Sequence, residues 1–154
     1  MTLHLVRHAS AGHRSFGDED DLERPLDERG RWQSDALVPF FADAPVEAVW
    51  SSFAVRCQQT VAPVASRFGT VVEPRTELTE GARPILLLEL LRAEAHRDGD
   101  IVLCSHGDLI PEVLNRLLRD GMSIRGGRGC EKGSVWSLET RGRDIVTARY
   151  TAVP

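Results

Sequence analysis

At 154 residues the chain has the length of one domain, enough to bury roughly 68–70% of its unfolded surface without disulfide or metal staples. Its 42% hydrophobic and 27% charged residues exclude the composition of a disordered or fibrous protein. A formal net charge of -4 argues against general nucleic-acid binding, although a locally positive cleft can still take an anion.

Residues 2–7 (TLHLVR) alternate and are rich in β-formers, which predicts a strand. A polar loop over 10–26, containing the acidic run GDEDDLE, leads to Asp27, a good N-cap for a helix from Glu28 to Asp43. Trp32, Ala36, Leu37, Phe40 and Phe41 repeat with helical period and are expected on its buried face, with a kink at Pro39. VEAVWSS (46–52) predicts a second strand, and residues 54–67 a helix that buries Val55, Val61, Ala62 and Ala65. TVVE (70–73) reads as a third strand. PILLLELLRAEAH (84–96) reads as a helix with Pro84 in its first turn, its leucines in the core and His96 capping its end. DIVLCS (100–105) is almost continuously apolar, as expected of a strand buried on both faces. A helix follows His106-Gly107, with Asp108 near its start; a glycine-rich loop over 121–133 then precedes a hairpin of SVWSLET and DIVTARY. The alternation of strands and helices predicts one α/β domain over residues 1–154, with a mainly parallel central sheet.

Cys57, Cys104 and Cys130 match no zinc spacing, no segment reads as a signal peptide, and no apolar run approaches a membrane span. A cytoplasmic protein without membrane or nucleic-acid partners is expected, and its oligomeric state is left open. In α/β sheets, ligands bind beyond the carboxyl ends of the strands. Arg7-His8, Ser51-Ser52 and Ser105-His106-Gly107 all fall there. With Arg56 one helical turn past the second strand, two guanidiniums and two imidazoles would converge on one rim. Arginine matches phosphate oxygens in a bidentate fork, a neutral imidazole can attack phosphorus, and a protonated one can hold developing charge. The helix N-terminus at Gly107 would add backbone N–H groups. His4 shares a strand face with His8 and is expected to be a packed side chain rather than one of a metal pair. His13, Arg14, Arg125, Arg128 and Lys132, the only lysine among 19 Lys and Arg, are further candidates for substrate contact.

LVRHA, PLDERGRWQSDAL, SSFAVRCQQTVAP and SHG, in that order across residues 3–107, resemble the motifs of the histidine phosphatase superfamily, the phosphoglycerate mutase-like branch 1. The resemblance implies a three-layer α/β/α sandwich and a covalent phosphohistidine on His8, with Arg7, Arg56 and His106 around the phosphoryl group. It implies a carboxylic acid to protonate the leaving group: Glu80, in Leu78-Thr79-Glu80, is the first choice and Glu77 the second. Ala9 stands where glycine is usual. The short connection from Glu80 to Arg97 leaves no room for the cap of the mutases, so the chain looks like the short, open-site members resembling the SixA phosphohistidine phosphatases. A phosphatase acting on a phosphorylated small molecule or phosphoprotein follows, needing no cofactor and no metal. A phosphoryl mutase and a non-catalytic phospho-ligand module on the same fold are the alternatives.

Overall fold

Seven strands form one sheet in the order β3-β2-β4-β1-β6-β7-β5 in a computed structural model that describes residues 1–14 and 21–153. The strands are β1 (Thr2–Arg7), β2 (Val46–Ser51), β3 (Val72–Pro74), β4 (Asp100–Ser105), β5 (Ser123–Arg125), β6 (Val135–Arg141) and β7 (Asp144–Thr151). The helices are α1 (Glu28–Phe40), α2 (Val55–Arg67), α3 (Pro84–Glu94) and α4 (Leu109–Arg119). β3, β2, β4 and β1 run parallel, while β6 turns the sheet antiparallel against both β1 and β7. The α/β sandwich expected from the sequence is the one observed. No helix among the described residues is long and apolar enough to cross a membrane.

Strand parity sorts the core into two layers. Leu3, Leu5, Ile101 and Leu103 face Leu87, Leu91, Ile110 and Val113 of α3 and α4. Val6, Val102 and Cys104 face Leu37 of α1 and Cys57, Val61 and Val64 of α2. β4 is therefore buried on both faces, as its apolar run predicts. His4 is packed as expected: Nε2 lies 3.0 Å from Oδ2 of Asp100 and Nδ1 lies 3.0 Å from Oγ of Ser137.

Several expectations are corrected. α1 ends at Phe40, three residues early, with Pro39 in its last turn. Trp32 is 64% exposed, and the buried side of α1 is Gly30, Gln33, Ser34 and Leu37. This polar stripe serves hydrogen bonding: Ser34 Oγ donates to the Thr60 carbonyl at 2.8 Å, and Gln33 Oε1 accepts from Ser10 N at 2.9 Å. In α2 Ala62 is exposed, whereas Arg56, Cys57 and Thr60 are buried. Leu86 of the leucine run is also exposed. α3 stops at Glu94, so the exposed His96 lies beyond the cap residue Ala95 and caps nothing. The glycine-rich segment contains β5, which pairs in parallel with the edge of β7. Of the predicted 10–26 loop, residues 15–20 lie outside the described residues.

Candidate active site

Sheet register brings the polar clusters together. Arg7 is paired with Ser105 across β1 and β4, and Ser51 with Cys104 across β2 and β4. The next residue of each chain is held by one more backbone bond: His8 N to Ser105 O and Ser52 N to Cys104 O, both 3.0 Å. His8, Ser52 and His106 thus emerge side by side at the carboxyl rim.

The ring of His8 is oriented by its own loop. Nδ1 lies 2.8 Å from the Ala9 carbonyl, which can only accept, so Nδ1 carries the hydrogen and Nε2 keeps its lone pair. Burial pushes the imidazole pKa down to about 3, and the nearby charges of His106, Arg56 and Arg7 push the same way against the Ala9 hydrogen bond. The loop itself is fastened from α2, since Ala9 N donates to Oγ1 of Thr60 at 2.9 Å. Gln59 Oε1 likewise accepts from Leu26 N at 2.8 Å. The QT pair of the SSFAVRCQQT motif is therefore a brace for two separate loops.

His106 presents its ring 5.4 Å from that of His8. Its Nε2 is held at 2.9 Å by Ser52 Oγ, and Nδ1 lies 3.5 Å from Nη2 of Arg56. Arg56 is 1% exposed and donates from Nη1 to the Asp21 carbonyl at 2.8 Å. Arg7 donates from Nη1 to the Cys130 carbonyl at 2.6 Å. Its guanidinium lies so close over Gly107 that a Cβ there would come within 2.7 Å of Cζ, which explains the glycine. The Nε–H groups of Arg7 and Arg56 are buried without a hydrogen-bond partner among the described residues, donors that an anion could satisfy.

Arg7, His8, His13, Arg14, Arg56, Glu80, His106, Gly107 and Lys132 all line one cavity of about 300 Å³. Glu80 Oε2 accepts from Arg56 Nη2 at 3.0 Å and from Arg14 Nη2 at 2.8 Å. Glu77 sits in a 3-10 turn (Thr76–Leu78) and does not line the cavity. Arg125 lies on β5, and Arg128 lines a separate apolar cavity of about 210 Å³ beside Trp136. Neither reaches the cavity of His8. Asp21 was absent from the sequence-derived set, yet its carboxylate lies 3.1 Å from Arg56 Nη2 and 3.0 Å from Arg14 Nη2. It belongs to an acidic run with no local pattern to single it out. Ser52 carried a signal, its place at a strand end, but no role could be read for it. Arg24 and Asp108 were missed too; Arg24 braces Asp21 at 2.9 Å and Asp108 accepts from Gly81 N at 2.9 Å.

Residues 3–84 match the family model of the histidine phosphatase superfamily, branch 1. A curated relative, the 8-oxo-(d)GTP phosphatase of Mycolicibacterium smegmatis, is 33% identical over 160 residues. That match covers 99% of this chain and 48% of the relative, so the chain spans about half the relative's length. Among solved structures, the protein histidine phosphatase SixA complexed with tungstate superposes with a TM-score of 0.77 at 19% identity, covering 99% of this chain and 95% of that one. A mycobacterial glucosyl-3-phosphoglycerate phosphatase gives a TM-score of 0.66 at 20% identity, covering 97% and 95%. At these identities the structural likeness is one of fold.

Proposed function

Because the chain belongs to branch 1 of the histidine phosphatase superfamily, we propose that it is a phosphatase that works through a covalent phosphohistidine at His8. Its substrate would be a phosphomonoester or a protein phosphohistidine. The observation that carries this reading is the neutral His8, with its Nε2 lone pair unengaged in a cavity that Arg7, Arg56 and His106 also line. Nε2 attacks phosphorus in line with the leaving atom, which departs with the electron pair of the broken P–O or P–N bond. Arg7 and Arg56 donate to the phosphoryl oxygens throughout, and His106, its ring held by Ser52, lines the same cavity. Arginine at such a transition state can be worth ~10³–10⁵ in rate, about 4–7 kcal/mol. Water then attacks the phosphohistidine, releases orthophosphate and returns His8 to its neutral form.

Two carboxyl groups line the cavity, Glu80 and Asp108; Asp108 is engaged by Gly81 N while Glu80 lies against Arg56, so Glu80 is the candidate to protonate the leaving atom. The helix α3 fills the connection from Glu80 to β4, which favours a phosphatase with an open site over a mutase that must retain its intermediate. The three free cysteines accord with a cytoplasmic setting, and phosphorylated small molecules or phosphoproteins are the proposed partners. The activity of the mycobacterial relative adds oxidised guanine nucleotides to the substrates worth assaying.

The test is metal-free incubation of wild type and His8→Ala with para-nitrophenyl phosphate and with a histidine-phosphorylated protein. Turnover by wild type that disappears in His8→Ala supports the reading. Turnover that survives the substitution rejects His8 as nucleophile, and phosphate binding without any turnover would instead favour a binding module.

A further inference from the structure

We propose that a groove running from His8 past Lys132 to Gln33 and Arg29 is a second anion subsite, which takes a further phosphoryl or carboxylate group of a small phosphorylated substrate. This rests on the phosphatase reading and narrows its substrate class.

Beside the cavity of His8 lies a second cavity, of about 370 Å³, lined by Ser10, Arg29, Gln33, Glu131, Lys132 and Val153. Lys132 lines both, so its side chain borders the two neighbouring cavities. Gln33 is 2% exposed, and its amide is fixed because Oε1 accepts from Ser10 N at 2.9 Å. The Nε2 amide of this buried side chain is left with no acceptor among the described residues, on the wall of the second cavity. An amide donor that opens onto the cavity can give its hydrogen to an anionic oxygen. Arg29 and Lys132 form no ion pair with any carboxylate among the described residues, so two cations and one amide donor converge there.

Both sides of the groove are tied to the nucleophile. Ser10 follows His8 by two residues, and the loop of Lys132 is sewn to β1. Gly133 N donates to the Arg7 carbonyl at 3.0 Å, and Arg7 N to the Ser134 carbonyl at 3.1 Å. A group held by Lys132 and Gln33 therefore has a defined position relative to a phosphoryl group on His8. Two carboxylates lie close by. Asp27 is saturated by Ser10 Oγ, Gly12 N and Gly30 N, while Glu131 remains on the wall and can accept from a hydroxyl or ring N–H of the substrate. A substrate with two anionic groups uses this arrangement; a phosphohistidine on a protein surface leaves it idle.

The test compares wild type with Lys132→Gln and Gln33→Glu. The second variant keeps the acceptor for Ser10 N and replaces the amide donor with a carboxylate of the same shape. Substrates are para-nitrophenyl phosphate with one anionic group, phosphoglycolate with an added carboxylate, and a nucleoside diphosphate with an added phosphoryl group. In each variant kcat/KM for one or both two-anion substrates should fall about tenfold further than for para-nitrophenyl phosphate. Whichever falls tells carboxylate from phosphoryl. In competition, pyrophosphate should bind wild type about tenfold more tightly than orthophosphate, and that ratio should drop towards one in both variants. Equal losses on all substrates with an unchanged binding ratio would overturn the subsite and leave the phosphatase reading intact. So would a loss as large on a histidine-phosphorylated protein as on the two-anion substrates. If wild type hydrolyses none of them, the phosphatase reading fails, and calorimetric titration with the same two anions still decides the subsite.

Discussion

His8 stays neutral because it is buried next to groups that repel a second positive charge, and this has a consequence for stability as well as for attack. Its pKa is about 3 in the folded chain against 6.5 for the free side chain, so between those values the unfolded chain binds more protons. Folding stability should therefore fall as pH drops from about 6.5 towards 3, and His8→Asn should lose less over that range; urea midpoints at neutral and acidic pH read the difference. Gly107 makes a second residue-scale prediction. Gly107→Ala forces the Arg7 guanidinium aside, so KM for any phosphorylated substrate should rise about tenfold while the fold persists. For the acid, Glu80→Gln should lower kcat on a phosphomonoester with a poor leaving group far more than on para-nitrophenyl phosphate, and Glu77→Gln should not; equal losses on both substrates, or none, reject a carboxylic acid at this position.

The elements carry the site through polar as well as apolar contacts, and this marks where their sequences could and could not be read. β1 and β4 were read correctly, because burial on one or both faces leaves an apolar signature that depends on local sequence alone. α1 was read in its start at Glu28 but not in its end or its facing. Its first turns lie against backbone carbonyls and N–H groups of the site loop, so Gly30, Gln33 and Ser34 turn inward and Trp32 outward. A count of apolar residues assigns the wrong side to such a helix. At Gly30 an added Cβ would lie 1.9 Å from the Ser10 carbonyl oxygen. Gly30→Ala should cost about 1–3 kcal/mol of stability, read as a shift in denaturation midpoint, and should lower activity by moving the loop of His8. β5 escaped prediction because a three-residue edge strand among glycines has too few side chains to show a period.

At the scale of the whole molecule, parallel pairing of β1 with β4 and of β4 with β2 joins Arg7, His8, Ser52 and His106 from distant parts of the chain. That Arg7, His8, Arg56 and His106 would meet at one rim was legible because strand ends, motif spacing and chemistry agree. Asp21 and the link between Lys132 and Gln33 were not, since both depend on how loops separated by many residues fold onto the rim. The same sheet has a second buried polar knot away from the rim, where Asp100 accepts from His4 and from Thr2 N, the latter at 2.8 Å. Asp100→Ala strands two donors and should cost about 1–3 kcal/mol in denaturant unfolding with kcat unchanged. The central claim is the phosphoryl group on His8. Rapid mixing with a phosphorylated substrate, an alkaline quench that preserves phosphohistidine, and mass spectrometry of the peptide containing His8 test it most directly. The account predicts one phosphoryl group on His8, formed and lost at rates compatible with turnover; steady turnover with His8 unmodified, or turnover in His8→Ala, would contradict it.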